Sequence, residues 1–185
     1  MEAFLISAAA IAVGEIGDKT QLLAIVLAAR FRRPWPILLG ILVATLANHT
    51  IAGLVGAWVR QMLGPQALRW ALGISFLLAA AWALKPDTVE DDPKPVGHYG
   101  VFAIALVSFF LAEIGDKTQL ATVMLAAKYP SLVSVVAGTT AGMLLADAPA
   151  VFLGHAASER VSFKAVRIVS AVVFTALGLT TLLAI

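Results

Sequence analysis

The sequence predicts an all-α integral membrane protein, with six transmembrane helices built as two inverted three-helix repeats. Three observations carry that expectation. First, the 185-residue chain is 61% hydrophobic and only 13% charged, whereas soluble domains are about 45–50% apolar and about 25% charged. Its mean hydropathy is +0.94. Second, the octapeptide Glu15-Ile16-Gly17-Asp18-Lys19-Thr20-Gln21-Leu22 returns unchanged 98 residues later as Glu113-Ile114-Gly115-Asp116-Lys117-Thr118-Gln119-Leu120. Third, the loop arginines and lysines fall unevenly on alternate loops, and that bias is what orients helices in a bilayer.

The elements follow in order. An apolar run over residues 3–29 carries the first octapeptide in its middle. The start, Met1-Glu2-Ala3-Phe4, lacks the positive n-region of a secretory signal, so this run is expected to be a retained helix. After Arg30-Phe31-Arg32-Arg33-Pro34-Trp35-Pro36 comes a second span, 37–59, and after the turn signal Gly64-Pro65 a third, 67–84. The hydrophilic stretch from Lys85 to Pro95 is rich in proline and acids and reads as a solvated linker. The fourth span, 99–127, carries the second octapeptide; the fifth is 131–157 and the sixth 163–184. The domain division is therefore 1–84, first repeat; 85–98, cytoplasmic acidic linker; 99–185, second repeat.

The repeat reaches beyond the octapeptide. Between 15–30 and 113–128 there are 11 identities in 16 positions, and upstream Phe4 and Ile6 match Phe102 and Ile104. Shared apolar bias would rarely reproduce Glu, Gly, Asp, Lys, Thr and Gln together, so duplication is the better account. Three spans per half is odd, so the second half enters the membrane from the opposite side, a design that places binding sites near the midplane at the repeat interface. Arg30, Arg32, Arg33, Lys85, Lys94, Arg160, Lys164 and Arg167 lie on one set of loops; Arg60, Arg69 and Lys128 lie on the other. That ratio puts the linker in the cytoplasm of a plasma-membrane protein, with both termini outside.

Composition also excludes. A net charge of +2, scattered among apolar spans, offers no basic face for nucleic acid. With no cysteine there is no thiolate chemistry, disulfide or zinc–cysteine site. No nucleophile–base pair is evident, so no enzyme is expected, and no cofactor beyond a transported ion.

A charge at mid-membrane costs at least a few kcal/mol, and each half places three within five residues. On a continuous helix Glu15 and Asp18 would share a face, as would Glu113 and Asp116, with Gln21 and Gln119 one turn on. Gly17 and Gly115 would allow a backbone kink, or let a partner helix or an ion come close. Two such helices crossing at their motifs would bring four carboxylates together. Carboxylate, amide and hydroxyl oxygens suit hard divalent cations such as Mn²⁺, Ca²⁺ or Mg²⁺. The expected metal ligands are Glu15, Asp18, Thr20, Gln21, Glu113, Asp116, Thr118 and Gln119. Four acids and two lysines leave −2, which one divalent ion balances; without the ion, the acids would take up protons. Competition between cation and proton for one site is the minimum that an antiporter needs.

Plainer readings stand beside these. Glu15–Lys19 and Glu113–Lys117 are i,i+4 pairs and could be internal salt bridges that only lock helices together; for the lysines, charge compensation is the expected role. Thr20 and Thr118 could be ligands or could bond a helix carbonyl. On the second span of each half, Leu46-Ala47-Asn48 resembles Leu145-Ala146-Asp147, and Pro149 follows closely. Asp147 could be a secondary ligand, and His49 a relay or a core histidine. Gly53, Gly56 and the GxxxG pair Gly138 and Gly142 read as close-packing positions, and Trp35, Trp58, Trp70 and Trp82 as interfacial anchors.

The duplicated Glu-x-Gly-Asp-[Lys/Arg]-[Thr/Ser] signature resembles the GDT-type membrane cation exchangers, which include MneA-type manganese exporters and Golgi manganese/calcium transporters. The resemblance covers the whole chain, and it suggests a wider kinship with small six-helix exporters of the lysine-exporter type. It implies movement of Mn²⁺ or Ca²⁺ out of the cytosol coupled to protons, with Glu15, Asp18, Glu113 and Asp116 as the cation site and Thr20 and Thr118 completing the signature. Mn²⁺ export is the expectation; a Ca²⁺/H⁺ antiporter and a passive cation channel are the alternatives.

Overall fold

A computed structural model describes residues 1–85, 100–153 and 163–183, all of it helix and short connections. Most of the linker, 86–98, the first residue of the fourth span, Tyr99, the end of the fifth span, 154–157, and the last residue of the sixth, Ala184, lie outside the described residues. The helices are α1 (Glu2–Glu15), α2 (Lys19–Phe31), α3 (Pro34–Met62), α4 (Pro65–Ala83), α5 (Val101–Glu113), α6 (Lys117–Lys128), α7 (Leu132–Leu153) and α8 (Phe163–Leu183).

Two expected spans are therefore each broken in two. The run 3–29 divides into α1 and α2, and the run 99–127 into α5 and α6, with the break inside the octapeptide both times. The repeat survives the correction. The helix pairs α2 and α6, α3 and α7, and α4 and α8 all begin 98 residues apart. Proline at the first turn, where its missing N–H costs nothing, starts α3 at Pro34 and α4 at Pro65.

Helices α3, α4 and α7 are each long and apolar enough to cross a bilayer alone. At about 1.5 Å per residue the 29 residues of α3 reach about 44 Å, more than the roughly 30 Å hydrocarbon core. None of the four half-helices exceeds 14 residues, about 21 Å, so none of them spans alone.

Packing is exchanged between the halves. Helix α3 lies along α5 and α6, α7 lies along α1 and α2, and α4 packs on α8. Small residues allow it. A Cβ on Gly138 would overlap the carbonyl of Phe4, and one on Gly40, 98 residues earlier, would stand 2.9 Å from the carbonyl of Phe102. Gly56 sits against the carbonyl of Val123 and Gly142 against that of Ala8, so Gly56, Gly138 and Gly142 are contact points between backbones, whereas Gly53 faces the side chains of Leu132 and Val136. These matched contacts fix the register between α3 and α7. His49, not Asn48, is the counterpart of Asp147.

Polarity is arranged inside out. Leu39, Val43, Leu54, Leu78, Leu145 and Val172 face outward, while Glu15, Asp18, Asn48, His49, Glu113, Asp116, Lys117 and Asp147 are buried. An apolar exterior around a polar interior is the distribution that a lipid solvent selects. This is a multi-pass membrane protein.

Candidate functional site

The two breaks are turns that the motif itself encodes. Ile16 has φ −59° and ψ 119°, Gly17 has φ +79°, and the Asp18 N–H donates to the Glu15 carbonyl at 3.0 Å. Those are the values of a type II turn, whose third residue needs positive φ and so favours glycine. The second copy matches: Ile114 at −63°, 120°, Gly115 at φ +75°, and Asp116 N–H to Glu113 carbonyl at 3.1 Å.

Asp18 and Asp116 then start the next helices as extended N-caps. Gln21 and Gln119, three residues on, reach back, and their Oε1 atoms accept from the Gly17 and Gly115 N–H groups at 2.8 Å each. This is a capping-box arrangement shifted by one residue, because the cap's own N–H is already committed to the turn. Glu-Ile-Gly-Asp-Lys-Thr-Gln thus encodes both the turn and the cap that break the helix. The break in turn orphans backbone carbonyls. The Asn48 amide donates to the Phe110 carbonyl at 3.0 Å, and the Ser170 hydroxyl to that of Val13 at 2.8 Å. The Gln21 amide also donates to the Ala146 carbonyl at 3.0 Å, tying the first break to α7.

Replacing Gly115 isolates this backbone requirement, since nothing lies within 4 Å of where its Cβ would be. Gly115→Ala is expected to cost about 1–2 kcal/mol from the left-handed conformation alone. Gly115→Asn should cost less, because asparagine tolerates that region better than other side chains. Thermal unfolding of the detergent-solubilised variants checks the order; equal stability for both would refute it.

The turn corrects two expectations. Glu15 and Asp18 are not i,i+3 neighbours on a continuous helix; they are the first and last residues of a turn. Nor do the lysines pair within their own motifs. Lys117 Nζ is 2.9 Å from Asp18 Oδ1, and Lys19 Nζ is 3.2 Å from Asp116 Oδ1. The pairs cross between halves, so each lysine compensates the other copy's aspartate. Lys117 is nearly sealed, with its side chain 7% exposed, whereas that of Lys19 is 31% exposed.

The carboxylates converge. Glu15, Glu113 and Asp116 offer oxygen atoms that all lie within 4.8 Å of one another, and all three residues are buried. Ligands held about 2.0–2.6 Å from one hard cation stand at such separations. Glu15 Oε1 and Glu113 Oε1 have no hydrogen-bond partner among the described residues. The hydroxyls line the same place: Thr20 donates to Glu15 Oε2, and Thr118 Oγ1 lies 3.1 Å from Asp116 Oδ2 and 3.5 Å from Glu113 Oε2. Asp18 is turned to Lys117, and Gln21 and Gln119 hold the turns. A crevice lined by Gly14, Gly17, Ala83, Ser170 and Phe174 opens onto the Asp18–Lys117 pair.

Two residues whose roles the sequence leaves open also sit here. His49 Nε2 is 3.6 Å from Glu113 Oε2, and Asp147 is fully buried within electrostatic reach of Glu113. The available signal was burial of polar groups on an apolar span, which sequence alone cannot aim at a site.

Paired helix breaks and buried acids inside an apolar shell define a membrane protein built to handle cations. The chain belongs to the GDT1 family: the family model described as "Divalent cation/proton antiporter GDT1" matches residues 3–91 and 101–185. It is 44% identical over 182 residues to a Vibrio cholerae protein named "Putative manganese exporter", covering 98% of this chain and 90% of that one. It is 28% identical to a GDT1-like protein of Synechocystis, over 94% of this chain and 93% of the relative. A GDT1-like protein of rice is 26% identical, over 97% of this chain and 73% of its own length. No solved structure matches.

Proposed function

We propose that this protein exports Mn²⁺ from the cytosol in exchange for protons, holding the ion between the two helix breaks. Glu15, Glu113 and Asp116 are its ligands, with Thr20 and Thr118 as supporting oxygens and Asp18 as the acid that Lys117 releases when the site rearranges. The observation that carries this is the convergence of three buried carboxylates from both copies within 4.8 Å. Family membership supplies the exchange class, and the name of the Vibrio relative favours manganese.

Exchange follows from electrostatics. Buried acids with two lysines carry an excess negative charge that only a divalent ion or protons can offset. Loading one displaces the other, so the site is never left uncompensated. Topologically, the paired half-helices each make one crossing, giving six crossings in two inverted halves. The 85–98 linker lies in the cytoplasm and both termini outside, in the plasma membrane. The uneven loop charges support that orientation.

Inside-out vesicles test the reading. An acidic lumen should drive saturable Mn²⁺ uptake, and added Mn²⁺ should discharge the proton gradient. Because protons compete for the carboxylates, the apparent Mn²⁺ affinity should fall as the pH on the binding side falls. Uptake of Ca²⁺ but not Mn²⁺ would favour the calcium antiporter that the same oxygens could serve. Unsaturable flux that ignores the gradient would make this a channel.

A further inference from the structure

We infer that His49 is a nitrogen ligand to the transported cation, and that it lets the site favour first-row transition-metal ions, Mn²⁺ among them, over Ca²⁺ and Mg²⁺. This rests on the proposed cation site. Three observations carry it. His49 has 0% exposure, and neither ring nitrogen has a hydrogen-bond partner among the described residues; a buried imidazole with both nitrogens idle is costly in a dry interior unless a ligand uses one.

Next, its Nε2 stands 3.6 Å from Glu113 Oε2, too far for a good hydrogen bond. It is a natural separation for two atoms sharing one ion: at about 2.2 Å from the metal, neighbouring ligands are about 3.1 Å apart at a right angle and about 4.4 Å apart when opposite. The position is also built. The adjacent Asn48 is hydrogen-bonded to the Phe110 carbonyl at 3.0 Å, which pins α3 beside the end of α5 where Glu113 sits.

The repeat sharpens the case. His49 and Asp147 occupy equivalent positions in the two halves, 98 residues apart, and Asp147 is equally buried, with both oxygens unpartnered among the described residues. The octapeptides are identical, so this pair is one place where the halves differ chemically near the site. A carboxylate there would suit Ca²⁺ and Mg²⁺ as well as Mn²⁺; an imidazole suits transition metals and is a poor ligand for the alkaline earths.

Electron spin-echo spectroscopy of Mn²⁺ bound to the purified full-length protein tests the contact without any substitution. A histidine nitrogen should couple to the electron spin, its ¹⁴N pattern should change to ¹⁵N when the protein carries labelled histidine, and it should persist when His98 and His155 are glutamine. Absence of that coupling overturns the inference. In proteoliposomes, His49→Gln and His49→Asp should lower the ratio of Mn²⁺ to Ca²⁺ transport, each as kcat/KM, about tenfold. Folded variants with a ratio within about twofold of wild type would also overturn it. If the variants fail to fold, the labelled wild-type spectrum decides alone. Loss of Mn²⁺ transport in Glu113→Gln alongside an unaltered ratio in His49→Gln would leave the carboxylate site standing and refute only the histidine; transport that survives Glu113→Gln would refute the site itself.

Discussion

Glu113→Gln and Glu15→Gln should each reduce Mn²⁺ exchange by at least about a hundredfold. Glutamine keeps the size and can still meet the Thr20 or Thr118 hydroxyl, so the fold should persist. What disappears is a full negative charge in a low-dielectric site, where charge interactions are several times stronger than in water. The measurement is Mn²⁺ uptake into inside-out vesicles, normalised to monodisperse protein. Variants that still exchange at the wild-type rate would remove these carboxylates from the ion path.

Lys117→Met should be the most destabilising change to a charged residue in the motifs. Lys117 is 5% exposed and lies 2.9 Å from Asp18, so its loss leaves the aspartate buried without that partner. Breaking such a pair costs about 3–5 kcal/mol. Adding Asp18→Asn should restore most of the stability, because neutralising both partners removes the stranded charge. Lys19→Met should be milder, since its side chain is 31% exposed and so less confined by the protein interior. Thermal unfolding in detergent gives the order. If Lys117→Met and Lys19→Met prove equally stable, the crossed pairs are not what holds the two breaks together.

Both predictions depend on a feature only half legible in the chain. Hydropathy alone puts the octapeptide on an uninterrupted helix, because a 27-residue apolar run is what a membrane span looks like. Yet the signals for a break were written in it: a glycine between Ile16 and Asp18, an aspartate able to cap, and a glutamine three residues on. Hydropathy outweighed them, since a turn at mid-membrane is costly unless something satisfies its freed backbone groups. Asn48 and Ser170, which supply that satisfaction, lie on other helices and carry no local mark of the task.

What the sequence by itself determined is the membrane class, the duplication, the six hydrophobic runs and the acids within the first run of each half. Those follow from composition, period and identity, which are local or directly countable. The tertiary structure decided the partners. It crossed the lysine–aspartate pairs between halves, bonded the Gln21 and Gln119 side-chain oxygens to the turns, and set His49 beside Glu113. Such choices depend on how closely α3 and α7 approach the broken helices, and that distance is set by Gly40, Gly56, Gly138 and Gly142, at backbone contacts far from the acids along the chain. A pattern of residues can say that charge will be buried; only packing says beside what.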